Sequence, residues 1–213
     1  MIKVIVFDFD GVLVDSNRLK REAWFKLFAP EEVSDELIMD VLEKVKATRY
    51  DILREIFMRL GKPEGEIESL VSQYAGRYND IVQAGIFSMG LNPWAEEILS
   101  NLKPKFNLYL NSATPEEAMI QTIKRLGIKD CFKKIYGQSE PQSKIKNLEK
   151  IIKEENISPE EVLVVGDGQD DLIAAKTLGC RFIGVANDLN GWRNEEFALV
   201  SDLSELKDLI QKL

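Results

Sequence analysis

Aspartates supply most of the chemistry this chain can perform, and they are grouped. Asp8 and Asp10 follow the apolar run Ile2 to Phe7. If that run is a strand, residues i and i+2 project to the same side at its carboxyl end, so two carboxylates meet there. Gly11 then lets the backbone turn sharply. A second group, Gly166-Asp167-Gly168-Gln169-Asp170-Asp171, follows the equally apolar VLVV. Carboxylates converging from two strand ends repel one another unless a cation sits among them. An all-oxygen site that keeps bound waters suits magnesium better than zinc or copper.

Two further groups offer complementary chemistry. The segment LYLNSATPEE brings Ser112 to the tip of another strand and predicts a helix capped at Thr114, with Pro115 at its first position. A hydroxyl and free amides at a helix N-terminus form an anion site. Lys144, at the entry to a predicted helix from Ile145 to Glu155, places an ammonium on the same anion; Lys146 is the alternative, and Lys144 is preferred because it lies nearer the helix start.

The elements that position these groups alternate. Strand-like runs occur at Ile2 to Phe7, Phe106 to Leu110, Phe132 to Tyr136, Val162 to Val165, Arg181 to Val185 and, weakly, Ala198 to Val200, with helical patterns between them. That rhythm predicts an α/β fold, a Rossmann-like doubly wound parallel sheet whose central strands are covered on both faces. Ligands bind such sheets at the carboxyl ends of the strands. A second marked helix start is expected at Ser158-Pro159-Glu160-Glu161. From about Asn17 to Ala84 the rhythm breaks into continuous helical periodicity, as in Leu37, Val41, Leu42, Val45 and Ile52, Ile56, Leu60. We read about four helices there, an all-helical insertion over residues 16–87 in a sheet domain made of 1–15 and 88–213.

Composition removes other classes of answer. The chain has 213 residues, 45% hydrophobic and 30% charged, and no histidine. Ser-His-Asp triads, Cys-His dyads, phosphohistidine intermediates and His-ligated metals are excluded. Cys131 and Cys180 are too far apart for a CxxC motif and are read as reduced, half-buried thiols without a role. Trp24, Trp94 and Trp192 are read as packing residues. The net charge of -8 leaves no basic field for nucleic acid or anionic lipid, and the lysines from Lys144 to Lys153 are interleaved with Glu149, Glu154 and Glu155. No stretch approaches the ~18 apolar residues of a membrane span, and the N-terminus lacks a cleavable leader, so a cytoplasmic setting is expected.

In their order along the chain, these pieces resemble the haloacid dehalogenase superfamily, in its phosphatase branch with a helical cap inserted after the first motif, the branch of β-phosphoglucomutase-like and phosphoglycolate phosphatase-like proteins. DFDGVLVDS resembles motif one, LNSATP motif two, the Lys144 region motif three and VVGDGQDD motif four; NPWAEEILSNLK and the closing VSDLSELKDLI extend the likeness across nearly the whole chain. The third motif reads SEPQSKIKNLEK, without the frequent Lys-Pro pair.

The resemblance implies roles. Asp8 is the nucleophile that takes the phosphoryl group, and Asp10 protonates the leaving oxygen and then activates water. Magnesium is held by the Asp8 carboxylate, the Asp10 backbone carbonyl and Asp167, with Asp171 supporting through water or by orienting Lys144. Gly11, Ser112, Ala113 and Lys144 bind the phosphoryl oxygens. Arg49 and Lys20 in the cap contact the remote end of a small phosphorylated metabolite, which would then carry a second anionic group.

Asp10 favours phosphoryl transfer over dehalogenation, because the superfamily's dehalogenases lack an aspartate two residues after the nucleophile. A magnesium-dependent phosphatase of small phosphate monoesters is the leading expectation. A sugar phosphomutase using the same phospho-aspartate is the alternative, although Lys20 stands where such mutases commonly have histidine. A non-catalytic phosphate-binding protein is the remote one. Neither the metabolite nor the oligomeric state is legible in the sequence.

Overall fold

The computed structural model describes residues 1–45, 48–138, 143–187, 189–193 and 195–210. It divides into two compact units, residues 1–17 with 89–213 and residues 18–88. In chain order the elements begin with β1 (Val4–Phe7) and four helices, α1 (Ser16–Leu27), α2 (Asp35–Lys44), α3 (Arg49–Arg59) and α4 (Glu64–Met89). There follow α5 (Ala95–Leu102), β2 (Asn107–Pro115), α6 (Glu116–Arg125), β3 (Lys134–Gln138) and α7 (Ser143–Glu155). The chain ends with β4 (Val162–Gly166), α8 (Gln169–Leu178), β5 (Arg181–Val185), β6 (Ala198–Val200) and α9 (Leu206–Ile210).

The six strands form one sheet in the order β3-β2-β1-β4-β5-β6, and every neighbouring pair is parallel. This is the expected doubly wound α/β architecture. β1 lies between β2 and β4, and the order reverses on either side of it, which makes its carboxyl end the switch point where such sheets bind ligands. All four of its residues are buried, as their unbroken apolar character requires. Val4 and Val6 join Val162, Val164, Leu148, Ile151, Ala174 and Ala175 in the core beneath α7 and α8. The alternate residues Ile5 and Phe7 are fully buried on the opposite face.

Register carries this packing to the site. Phe7 pairs with Leu110 on one side and Val165 on the other. Asp8, just past β1, Asn111 within β2 and Gly166, the last residue of β4, therefore lie level with one another toward the carboxyl side of the sheet.

Within the helical unit, Phe28, Phe57 and Tyr74 pack with ring centroids 5.1–6.2 Å apart, and Trp24 lies 4.4 Å from Tyr78. Ser34 and Thr48 cap α2 and α3 through the amides of Leu37 and Asp51. Among the described residues, no helix is long and apolar enough to cross a membrane.

Three local expectations are corrected. Thr114 does not cap α6, whose N-cap is Pro115, because β2 runs on through Pro115 and carries the Thr114 hydroxyl to Asp10. Ser158 opens only a three-residue 3₁₀ turn, Pro159–Glu161, since β4 begins at once behind it. Trp24 and Trp192 are buried, but Trp94 is 52% exposed and adopts a left-handed backbone with φ 69°.

Candidate active site

Asp8, Asp167 and Asp171 are all buried, and each offers a carboxylate oxygen within 4.8 Å of the others. Asp8 follows β1, Asp167 follows β4, and Asp171 lies in the first turn of α8. Lys144, from the first turn of α7, lies among them. Its ammonium is 2.7 Å from Asp171 Oδ1, 3.1 Å from Asp8 Oδ2 and 3.1 Å from Asp170 Oδ2. Lys144 is buried, whereas Lys146 is exposed on the same helix. Residues 139–142, which open the third motif, lie outside the described residues.

An amide chain anchors this lysine. Asn111, in the middle of β2, donates through Nδ2 to the Lys144 carbonyl at 2.9 Å, and Asn147 donates to Asn111 Oδ1 at 3.1 Å and to the Gly137 carbonyl at 3.3 Å. All three side chains are buried, so the geometry is constrained by groups with no ready alternative partner.

Burial raises the proton affinity of Asp8, with Lys144 opposing it. Asp167 is pushed up to about 7, chiefly by burial and by the charge of Asp8, against a lowering hydrogen bond from Asn187. Burial also raises Asp171 well above the ordinary range. For Lys144, burial works to lower the affinity, but Asp171, Asp8 and Asp170 together outweigh it and keep the ammonium charged. One lysine thus faces more negative charge than it neutralises. Among the described residues, Asp8 Oδ1 is the one buried side-chain oxygen or nitrogen without a hydrogen-bond partner. A partnerless buried carboxylate oxygen in an all-carboxylate cluster fits a hard divalent cation such as magnesium.

Asp10, whose charge also bears on Asp8 and Asp167, has hydroxyl donors of its own. Its Oδ2 accepts the Thr114 hydroxyl at 3.0 Å, the Ser112 hydroxyl approaches the same oxygen at 3.5 Å, and the Ser16 hydroxyl donates to Oδ1. Ser112 also accepts the Thr114 amide at 3.1 Å. Two carboxylates only two residues apart therefore have different neighbours: an ammonium for one, hydroxyls for the other.

Asp167 is held from two distant segments. Asn17 and Asn187 each donate to its Oδ2, at 2.6 and 2.7 Å, and Asn190 donates to its carbonyl at 3.0 Å. Gly11 makes this possible: with φ at +79°, a Cβ there would stand 2.0 Å from Asp167 Oδ2 and 2.4 Å from Asn17 Nδ2. Gly11 thus gives room to a carboxylate, and Ala113 lies exposed at the strand tip.

Lys20 and Arg49 belong to the helical unit. Both approach Tyr78, whose ring lies 5.6 Å below the Arg49 guanidinium and whose hydroxyl donates to the Lys20 carbonyl at 3.0 Å.

Sequence assigns no site role to Thr114, Asn17 or Asn187, and marks Asp170 only as one carboxylate of the second acidic group. Asn187 follows β5, so the strand-end rule alone could have marked it. Asn17 offered no signal, being 150 residues from its partner.

The chain belongs to the haloacid dehalogenase-like hydrolase family, whose family model matches residues 5–185. A phosphorylated carbohydrates phosphatase of Thermotoga maritima is 26% identical over 89% of this chain and 88% of its own. A phosphoglycolate phosphatase of Vibrio vulnificus is 26% identical over 98% of this chain and 96% of its own. Among solved structures, the β-phosphoglucomutase of Clostridium difficile superposes with a TM-score of 0.73 at 23% identity, covering 100% of this chain and 96% of that one, a likeness of fold.

Proposed function

We propose that this protein is a magnesium-dependent phosphatase of the cytoplasm that hydrolyses a small-molecule phosphate monoester through an aspartyl-phosphate on Asp8. The observation that carries the reading is the division of labour between Asp8 and Asp10: the first beside Lys144 in the acidic cluster, the second among the hydroxyls of Ser16, Ser112 and Thr114. The two relatives named as phosphatases, one for phosphorylated carbohydrates and one for phosphoglycolate, support a small phosphorylated metabolite as substrate.

In this reading the Asp8 carboxylate attacks phosphorus, an O–P bond forms to Asp8, and the bond to the leaving oxygen breaks. The Asp10 carboxyl gives its proton to that oxygen. With the product alcohol gone, the Asp10 carboxylate takes a proton from water, the water oxygen bonds to phosphorus, and the Asp8–phosphorus bond breaks. Inorganic phosphate leaves, and both aspartates return to their starting forms. Lys144, Ser112 and the amides beside it stabilise the phosphoryl oxygens. Asp8, Asp167 and Asp171 would hold the magnesium ion, and Asp10 would contribute its backbone carbonyl. When bound, the ion supplies positive charge that offsets the cluster and the phosphoryl oxygens.

The test is phosphate release from p-nitrophenyl phosphate with magnesium, followed by a panel of sugar phosphates, phosphoglycolate, phosphoserine and nucleoside monophosphates. Asp8→Asn should lower turnover by at least about 10³-fold with the fold intact. Full activity in that variant would reject the reading.

A further inference from the structure

We propose that Asp170 competes with the phosphoryl group for Lys144 and so limits how tightly the site holds phosphate; this rests on the phosphatase reading above. An ammonium has three N–H donors and no acceptor. Three carboxylates lie within reach of Lys144 Nζ, Asp171 at 2.7 Å and Asp8 and Asp170 each at 3.1 Å. A phosphoryl oxygen gains one of these donors only by displacing a carboxylate.

Burial decides which one yields. The side chains of Asp8 and Asp171 are 7% and 3% exposed, whereas that of Asp170 is 56% exposed. Withdrawing Asp8 or Asp171 from the lysine strands a buried charge, while Asp170 turns into water and stays solvated. Asp8 must in any case remain to react, and Asp171 is tied down by the Gly168 amide on its other oxygen, at 3.3 Å.

The local chain is shaped around this carboxylate. A Cβ on Gly168 would stand 2.4 Å from Asp170 Oδ1, so the absence of a side chain at 168 leaves room for the inward pose. Asp170 also belongs to the first turn of α8, where a negative charge is favoured, and it keeps that position when its side chain rotates outward. Asp170 therefore acts as an internal anion at the phosphate lysine. A phosphate group with nearly two negative charges displaces it, and after hydrolysis it opposes rebinding of the inorganic phosphate.

The experiment is calorimetric titration of inorganic phosphate into the magnesium-loaded protein, comparing wild type, D170N and D170S in dilute and in concentrated sodium chloride. Both variants should bind phosphate roughly threefold to tenfold more tightly, and the gain should persist in concentrated salt, because direct competition for a buried lysine is poorly screened. A gain confined to dilute salt assigns Asp170 a long-range field and overturns the proposal, as does equal or weaker binding in both variants. If neither wild type nor variants bind phosphate and none releases it from an ester, the phosphatase reading itself falls. Wild-type binding and turnover without a gain in D170N or D170S removes only the competition.

Discussion

Thr114 donates its hydroxyl to Asp10 Oδ2 at 3.0 Å, across 104 residues of sequence, instead of capping the helix that follows it. The sheet explains the choice. β2 stays extended through Pro115, so residue 114 still lies at the strand edge beside the end of β1, where Asp10 emerges. A hydroxyl in that position orients the carboxyl group that must give and take a proton.

Thr114→Val should therefore damage turnover more than binding. The expected result is a fall in kcat of about tenfold to a hundredfold with little change in KM, and Thr114→Ser should keep most of the wild-type rate. Steady-state kinetics on the best substrate of the panel checks this. An unchanged kcat in the valine variant would remove Thr114 from the positioning of Asp10.

The acidic cluster should couple stability to both pH and magnesium. Asp167 takes up its proton at about 7 in the folded chain, against an ordinary value of 3.8. A carboxyl held above its unfolded value contributes stability at low pH that is lost as pH rises from 3.8 through about 7. A cation bound to the ionised carboxylates offsets that loss. The rise in Tm on replacing EDTA with magnesium should thus be larger near about pH 8 than near about pH 5.5. Equal shifts across the range, read by thermal melting, would argue that these carboxylates are not ligands.

Lys144 and Lys146 should differ sharply as structural residues. Lys144→Met removes the cation from two buried carboxylates and should cost about 3–5 kcal/mol, the usual penalty for stranding one half of a buried ion pair. Lys146→Met alters an exposed position and should stay within about 0.5 kcal/mol of wild type. Urea denaturation of the two variants makes the comparison, and similar values for both would contradict the buried role of Lys144.

Much of this protein is legible in local sequence. Nearly continuous apolar runs such as IKVIVF and VLVV are what central strands covered on both faces require, and their alternation with helical patterns leads to the parallel sheet. The aspartates after two of those runs fall at strand ends whatever the detailed topology. The four helices α1 to α4 that follow β1 come from periodicity in the same way. These features depend on residues close to one another in the chain, where backbone geometry and side-chain spacing leave few choices.

Other features required the folded chain. Lys144 and Lys146 have the same chemistry and nearly the same place in sequence; the phase of α7 against the sheet buries one among three carboxylates and exposes the other. Asn17 and Asn187 meet on one oxygen of Asp167 only because parallel register brings the ends of β1, β4 and β5 to a common edge. Asp170 looks like one more helix-start aspartate until its carboxylate is found 3.1 Å from the lysine. Local sequence determined the strands, the helices and the acidic strand ends, since those arise from neighbouring residues. Tertiary structure decided which polar groups became partners, because sheet register and burial set distances between segments that no spacing rule connects.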